Sequence, residues 1–179
     1  MDIKALQRPL RDRYASDPDS APITLSVRSA PTDLADPLHC GVTPDSTKGV
    51  LWNSGAHPAV GGVGDTPCSG DLLLAALAAC QEVTLRMVAA NLGLELTHVE
   101  VVAEGDWDPR GTLAMGREFP IGLTAIRCST SVRLAEGIDE ERAARLLRSA
   151  ERYCVVLNTI RNPVAVESAF RIEAAETSD

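Results

Sequence analysis

One segment limits what this chain can fold into more than any other: residues 66–94, TPCSGDLLLAALAACQEVTLRMVAANLGL. It carries both ends of a helix. Ser69 reads as the N-cap, Asp71 places a carboxylate in the positive first turn, and Gly93 follows the last apolar residues as a C-cap. Leu73, Leu77, Cys80, Thr84, Met87 and Val88 recur at spacings of three and four, and Leu72, Leu74, Val83 and Leu85 fill much of the remaining circumference. A helix so patterned is expected to be buried on most sides. Its polar residues, Gln81, Glu82, Arg86 and Asn91, predict a narrow wet strip beside Cys80, with Glu82 four positions before Arg86 as a helical ion pair prefers.

The chain around this helix is 179 residues long, enough for one domain with a buried core. Only 3% of its residues are Phe, Trp or Tyr, so the core must be aliphatic and a base-stacking surface is excluded. A net charge of −8 without a Lys/Arg cluster argues against nucleic acid and anionic membranes as partners. The longest apolar run, Leu72 to Cys80, is less than half of the about 20 residues a bilayer span needs, and the N-terminus lacks a signal-peptide core. Five cysteines without an export signal point to reduced thiols in the cytoplasm, where any disulfide would be catalytic or regulatory.

Residues 1–16 read as a short helix interrupted by Pro9, making 1–20 an appended arm, with one domain over 21–175 and a polar tail at 176–179. Ile23–Val27 alternates as a strand, and short strands are expected near 38–42 and 49–53, giving an antiparallel sheet ahead of the helix. Residues 55–65 contain Gly61, Gly62 and Gly64 but no Gly-Lys-Ser/Thr ending, so they read as a flexible loop over the site rather than a nucleotide cradle. Residues 97–106 and 125–134 alternate as two strands joined by a long insertion. A second helical region covers 136–157, capped by Asp139, with Ala143, Leu147, Ala150, Cys154 and Leu157 on its apolar face; Val164 to Ile172 then alternates as a final strand. The fold class is α+β.

Two of these segments resemble a known family. Pro67, Asp71 and Leu72 to Cys80 follow the pattern P-x-x-x-[E/D]-L-L-x-A-A-L-x-x-C of the OsmC/Ohr thiol-dependent peroxidases, and Glu151 to Val156 with Thr159 and Asn162-Pro163-Val164 resembles their second-cysteine segment and last strand. Residues 104–122 resemble the inter-strand insertion of the OsmC-like branch. The resemblance implies an OsmC-like fold with antiparallel sheets around a long buried central helix, an intertwined homodimer whose sites draw on both subunits, and a peroxidase reducing organic hydroperoxides. Cys80 would then be the peroxidatic thiol and Cys154 the resolving one, joined through an intramolecular disulfide. No cofactor or metal is implied; an external dithiol such as dihydrolipoamide would be the reductant. The chain departs from the pattern at Gly70, where Ohr-type proteins have Glu, and at Val155, where many active members have Pro. A second reading therefore stays open, a non-catalytic ligand-binding or stress-related protein on the same fold.

Cys80 lies about three turns inside its helix, beyond the reach of that helix's own dipole, so its thiolate needs another source of stabilisation. The family uses an arginine positioned by a carboxylate. Arg28 at the end of the first strand and Asp71 are the candidates that the resemblance implies, with Arg86 and Arg127 as substitutes for the cation. Cys128 alternates with strand residues and reads as core, Cys68 sits beside a helix start without an evident partner, and Cys40 next to His39 is a poor zinc pattern.

Overall fold

In the computed structural model, which describes residues 2–162 and 164–172, the chain runs α1 (Ile3–Ser16), β1 (Val27–Ser29), β2 (His39–Pro44), β3 (Trp52–Gly55), α2 (Ser69–Leu92), β4 (Leu96–Asp106), α3 (Pro109–Thr112), β5 (Ala125–Leu134), α4 (Glu140–Tyr153) and α5 (Val155–Arg161). The three short strands form one antiparallel sheet in the order β1-β2-β3, and β4 and β5 form a second, with Val99 opposite Val132 and Ala103 opposite Cys128. The α+β architecture is as expected, although the first strand begins at Val27 rather than Ile23, leaving Ile23 and Leu25 exposed.

The long helix is capped one residue earlier than its sequence suggests. Cys68, not Ser69, is the N-cap: its sulfur accepts the Asp71 N–H at 3.4 Å while the Asp71 carboxylate accepts the Cys68 N–H at 2.9 Å. This reciprocal pair satisfies two otherwise orphaned donors. At the far end Gly93 takes a φ of +65°, which a β-carbon would strain, and closes the helix as expected.

Burial of α2 is one-sided within the chain. Leu77, Gln81, Leu85 and Ala89, spaced by four, are buried, and Leu85 and Ala89 share a cluster with Leu94, Leu146 and Ala150 against which Val99, Val132 and Ile138 pack. On the other side Leu73, Val83 and Met87 are exposed, so the helix is not covered on most sides, and buried Gln81 does not belong to a wet strip. By length and composition alone α2 could cross a bilayer, yet it carries Asp71, Glu82 and Arg86 and packs on β4, α4 and α5.

The first sheet is tied to the start of α2. Gly55 N–H and the Ser54 hydroxyl both donate to the Pro67 carbonyl at 3.1 and 3.0 Å, and His39 bridges Asp36 and Asp65 at 2.7 and 2.9 Å, contacts that raise its pKa through Asp65 first and Asp36 second. Residues 55–65 therefore form an anchored turn at the helix start rather than a loop over Cys80. Gly62 runs so close to Ala56 that a β-carbon would meet its carbonyl oxygen at 1.7 Å. Helix α1, by contrast, buries nothing and touches α2 through Asn91 Nδ2 donating to Gln7 Oε1 at 3.3 Å, as an arm would.

Two expectations fail in the C-terminal third. The region 136–157 is not one helix: α4 ends at Tyr153, Cys154 has φ −72° and ψ 107°, and α5 starts anew. Its apolar face also turns on Leu146, which is fully buried, rather than Leu147, which is 48% exposed. Residues 164–170 are not assigned to a strand and pair with no strand among the described residues, and Val166, Phe170 and Ile172 are exposed. Pro163 and the tail expected at 176–179 lie outside the described residues.

Leu85 has no exposed surface and joins α2 to α4 through the central cluster, so Leu85→Ala is expected to lower stability by about 2–5 kcal/mol in urea unfolding.

Candidate active site

Cys80 rides on α2 about a quarter-turn from the buried line of Leu77, Gln81 and Leu85, half-covered. What covers it is the break between α4 and α5. Asn158 holds that break by donating its side-chain amide to the carbonyls of Cys154, Arg152 and Glu151 at 2.8, 3.1 and 3.3 Å, which occupies acceptors that an ended helix leaves open. The same break leaves the first N–H groups of α5 without helical partners, and those of Val155 and Val156 point at the Cys80 sulfur.

Burial opposes ionisation of Cys80 more strongly than any single contact favours it. The Val156 N–H, the Cys154 thiol, the Thr84 hydroxyl one turn along α2 and the Val155 N–H together outweigh it, holding the Cys80 pKa below that of an ordinary thiol. Cys154 is fully buried and shifts the other way: burial raises its pKa, the Leu157 N–H opposes, and the adjacent Cys80 sulfur and, last, the charge of Cys128 add to the rise. The pair thus consists of one sulfur suited to carry charge and one that keeps its proton and donates it to the first.

The cysteines singled out in the sequence are therefore brought into contact, while the charged residues are not. Arg28 makes a bidentate pair with Asp45 at 2.8 and 2.6 Å, Arg86 pairs with Glu82 at 3.2 Å, and Arg127 pairs with Asp106 at 2.6 and 2.7 Å. No guanidinium is among the groups acting on Cys80 among the described residues. Asp71 is engaged in the capping box, about 13 Å up the helix from Cys80 by rise per residue. Its role within this chain is to start α2.

Sequence reading missed the amides of Val155 and Val156, Thr84 as a donor, and Asn158. Thr84 was visible as the residue four positions after Cys80. The amides were hidden by the unbroken apolar spacing across Cys154. The remaining cysteines divide: Cys40 is exposed on β2, Cys68 caps α2, and Cys128 is half-buried on β5 with its pKa raised by burial against a lowering by Arg161. Among the described residues no cluster of three or more His, Cys, Asp or Glu is arranged to hold a metal ion.

A family model described as OsmC-like protein matches residues 62–169, more than half of the chain. The chain belongs to the OsmC-like family. Among solved structures it is similar to an OsmC-like protein from Mycoplasma pneumoniae, with 13% identity, a TM-score of 0.61 and coverage of 79% of this chain and 89% of that one. It is also similar to an organic hydroperoxide resistance protein from Legionella pneumophila, with 20% identity, a TM-score of 0.57 and coverage of 79% and 92%. A third is an organic hydroperoxide resistance protein from Elizabethkingia anophelis, with 18% identity, a TM-score of 0.56 and coverage of 80% and 91%. At these identities the likeness establishes the OsmC/Ohr fold. Among curated protein sequences none matches the chain.

If hydrogen bonding sets the state of Cys80, Thr84→Val, which keeps shape and removes the donor, is expected to move the pH midpoint of Cys80 alkylation upward. Iodoacetamide labelling across pH, read by fragment-ion assignment that separates Cys80 from Cys68, measures it, and an unmoved midpoint would remove Thr84 from the site.

Proposed function

We propose that this protein is a thiol-dependent peroxidase that reduces organic hydroperoxides, with Cys80 peroxidatic and Cys154 resolving. The observation that carries this reading is the contact between the two sulfurs, from residues far apart in sequence, with Cys80 biased towards thiolate and Cys154 towards thiol. In the first step the Cys80 thiolate attacks the outer peroxide oxygen, the O–O bond breaks, and the alkoxide leaves as an alcohol after taking a proton, leaving a sulfenic acid on Cys80. Cys154 then attacks that sulfur. Its proton leaves with the displaced hydroxide as water, and a Cys80–Cys154 disulfide remains.

The apolar neighbours of Cys80 on the open side of α2, Leu73, Val83 and Met87, favour an organic peroxide over hydrogen peroxide. A dithiol of the dihydrolipoamide kind would complete the cycle, in a cytoplasm that keeps the remaining thiols reduced. Stopped-flow consumption of cumene hydroperoxide tests the reading. Cys80→Ser is expected to lower the rate on the order of a thousandfold or more, whereas Cys154→Ser is expected to retain the first turnover and accumulate a dimedone-reactive sulfenic acid. An unchanged rate in Cys80→Ser would end the proposal.

The active form in this reading is a homodimer. Leu73, Ala76, Val83 and Met87 leave an apolar stripe at spacings of three to four along the outer face of α2, with Cys80 in its middle, and residues 164–170 pair with no strand among the described residues. In this reading a second copy covers both, and a site with no cation among the described residues of one chain draws Arg28 and Asp71 from that copy. Light scattering on the purified protein is expected to give twice the chain mass, and Val83→Glu to give a monomer; a wild-type monomer would remove the dimer from the proposal.

A further inference from the structure

A cavity of about 340 Å³ opens between α2, β5, α4 and α5, and neither Cys80 nor Cys154 is part of its wall. That size is at the lower end of pockets that hold small organic molecules. Ile126, Leu147, Leu157 and Ile160 line it with hydrocarbon, and each keeps part of its surface uncovered, Leu147 as much as 48%. Gln81 belongs to the same wall and is 8% exposed, and its Oε1 is shut off from water with no hydrogen-bond partner among the described residues. A buried amide left unpaired is unfavourable, and a bound molecule that pairs with it removes the penalty. The charged members of the wall, Glu151 and Arg161, neutralise each other across 2.5 Å, and burial favours the neutral thiol of Cys128.

We propose that this cavity is a ligand site, separate from the cysteine pair, for a neutral organic alcohol, with the hydrocarbon body against Ile126, Leu147, Leu157 and Ile160 and the hydroxyl on the Gln81 amide. The chemistry of the wall selects each part. A hydroxyl both donates and accepts, so it pairs with the amide whether the oxygen or the NH2 faces it, and the broad terminal torsion of Gln lets the amide turn to meet it. A plain hydrocarbon fills the space but leaves the amide unpaired. A carboxylate or an ammonium brings a charge into a wall whose own charges are already matched, and loss of hydration opposes that. Four elements bound the space, which suits a small molecule rather than a segment of another chain. The site does not depend on the peroxidase reading. Under that reading the alcohol released from an organic hydroperoxide belongs to the same class, and α5 joins the two places: its Val155 and Val156 amides face Cys80, while Leu157 and Ile160 line the cavity.

Methyl NMR titration of the reduced full-length protein with 2-phenyl-2-propanol tests this, with cumene as the analogue that lacks the hydroxyl. No peroxide is present, so the outcome is independent of turnover. The alcohol is expected to give saturable shifts centred on Ile126, Leu147, Leu157 and Ile160. Gln81→Met is expected to keep binding but to lower the ratio of alcohol to cumene affinity about two- to tenfold, the worth of one net hydrogen bond. Leu147→Trp, which places a larger side chain at a half-exposed position, is expected to fill the cavity and abolish binding of both compounds while the remaining methyl spectrum shows the fold retained. Cys80→Ser is expected to bind the alcohol as the wild type does, so a failure of the peroxidase reading would leave the site in place. Shifts that do not saturate, or that centre on Leu73, Val83 and Met87 beside Cys80, would overturn the site and leave the peroxidase reading standing. Binding that survives Leu147→Trp would overturn it as well, and an affinity ratio unmoved by Gln81→Met would overturn the assignment to an alcohol.

Discussion

The site depends on the amino end of a very short helix meeting a sulfur that belongs to a long one. Cys80 is too deep in α2 to draw on that helix's own positive end, and every arginine first considered for it is held by a carboxylate of the same chain. Helix α5 supplies what is missing. It can do so because the chain leaves helical geometry at Cys154, so that the Val155 and Val156 amides are unpaired at the place where α2 passes. Burial, which alone would keep Cys80 protonated, then concentrates the effect of those donors by excluding competing water.

This arrangement needs α2 fixed relative to the α4–α5 corner, and the packing does that from one side. Leu85 and Ala89 pack with Leu146 and Ala150, so the rotation of α2 about its axis is set by contacts with the same α4 that leads into Cys154. The first sheet has a different duty. It lies outside the residues matched by the family model, yet Ser54 and Gly55 hold the Pro67 carbonyl just before the Cys68 cap, so it determines where α2 begins. Its Arg28 is committed to Asp45 within the chain, which keeps β1 and the turn after β2 together.

Much of this was legible in the residues because the signals were local. The α2 segment, its Gly93 end, the β4–β5 pair and the capped start of α4 all follow from periodicity and turn chemistry within a dozen residues. The two cysteines were legible only through their resemblance to a family pattern, since periodicity treats Cys80 and Cys154 as small apolar residues. What escaped was set by contacts across the fold. The helix break at Cys154 carries no proline or glycine; it is held by Asn158 reaching back to three carbonyls, and the spacing Ala150, Cys154, Leu157 looks helical throughout. Strand pairing for residues 164–172 was inferred from alternation, but alternation states a preference and cannot supply an edge. Ser69 reads as the cap because its hydroxyl is a usual helix start; the helix is capped one residue earlier because the Asp71 carboxylate returns to the Cys68 amide.

That sulfur cap means that reagents used to count or trap thiols in this protein are not neutral observers. Carboxymethylating Cys68 replaces a weak acceptor with a bulky group at the hinge between the first sheet and the helix bearing Cys80, so labelling one cysteine perturbs the seat of another. The two also share a tryptic peptide, so bulk modification stoichiometry conflates a damaged support with a reacted centre.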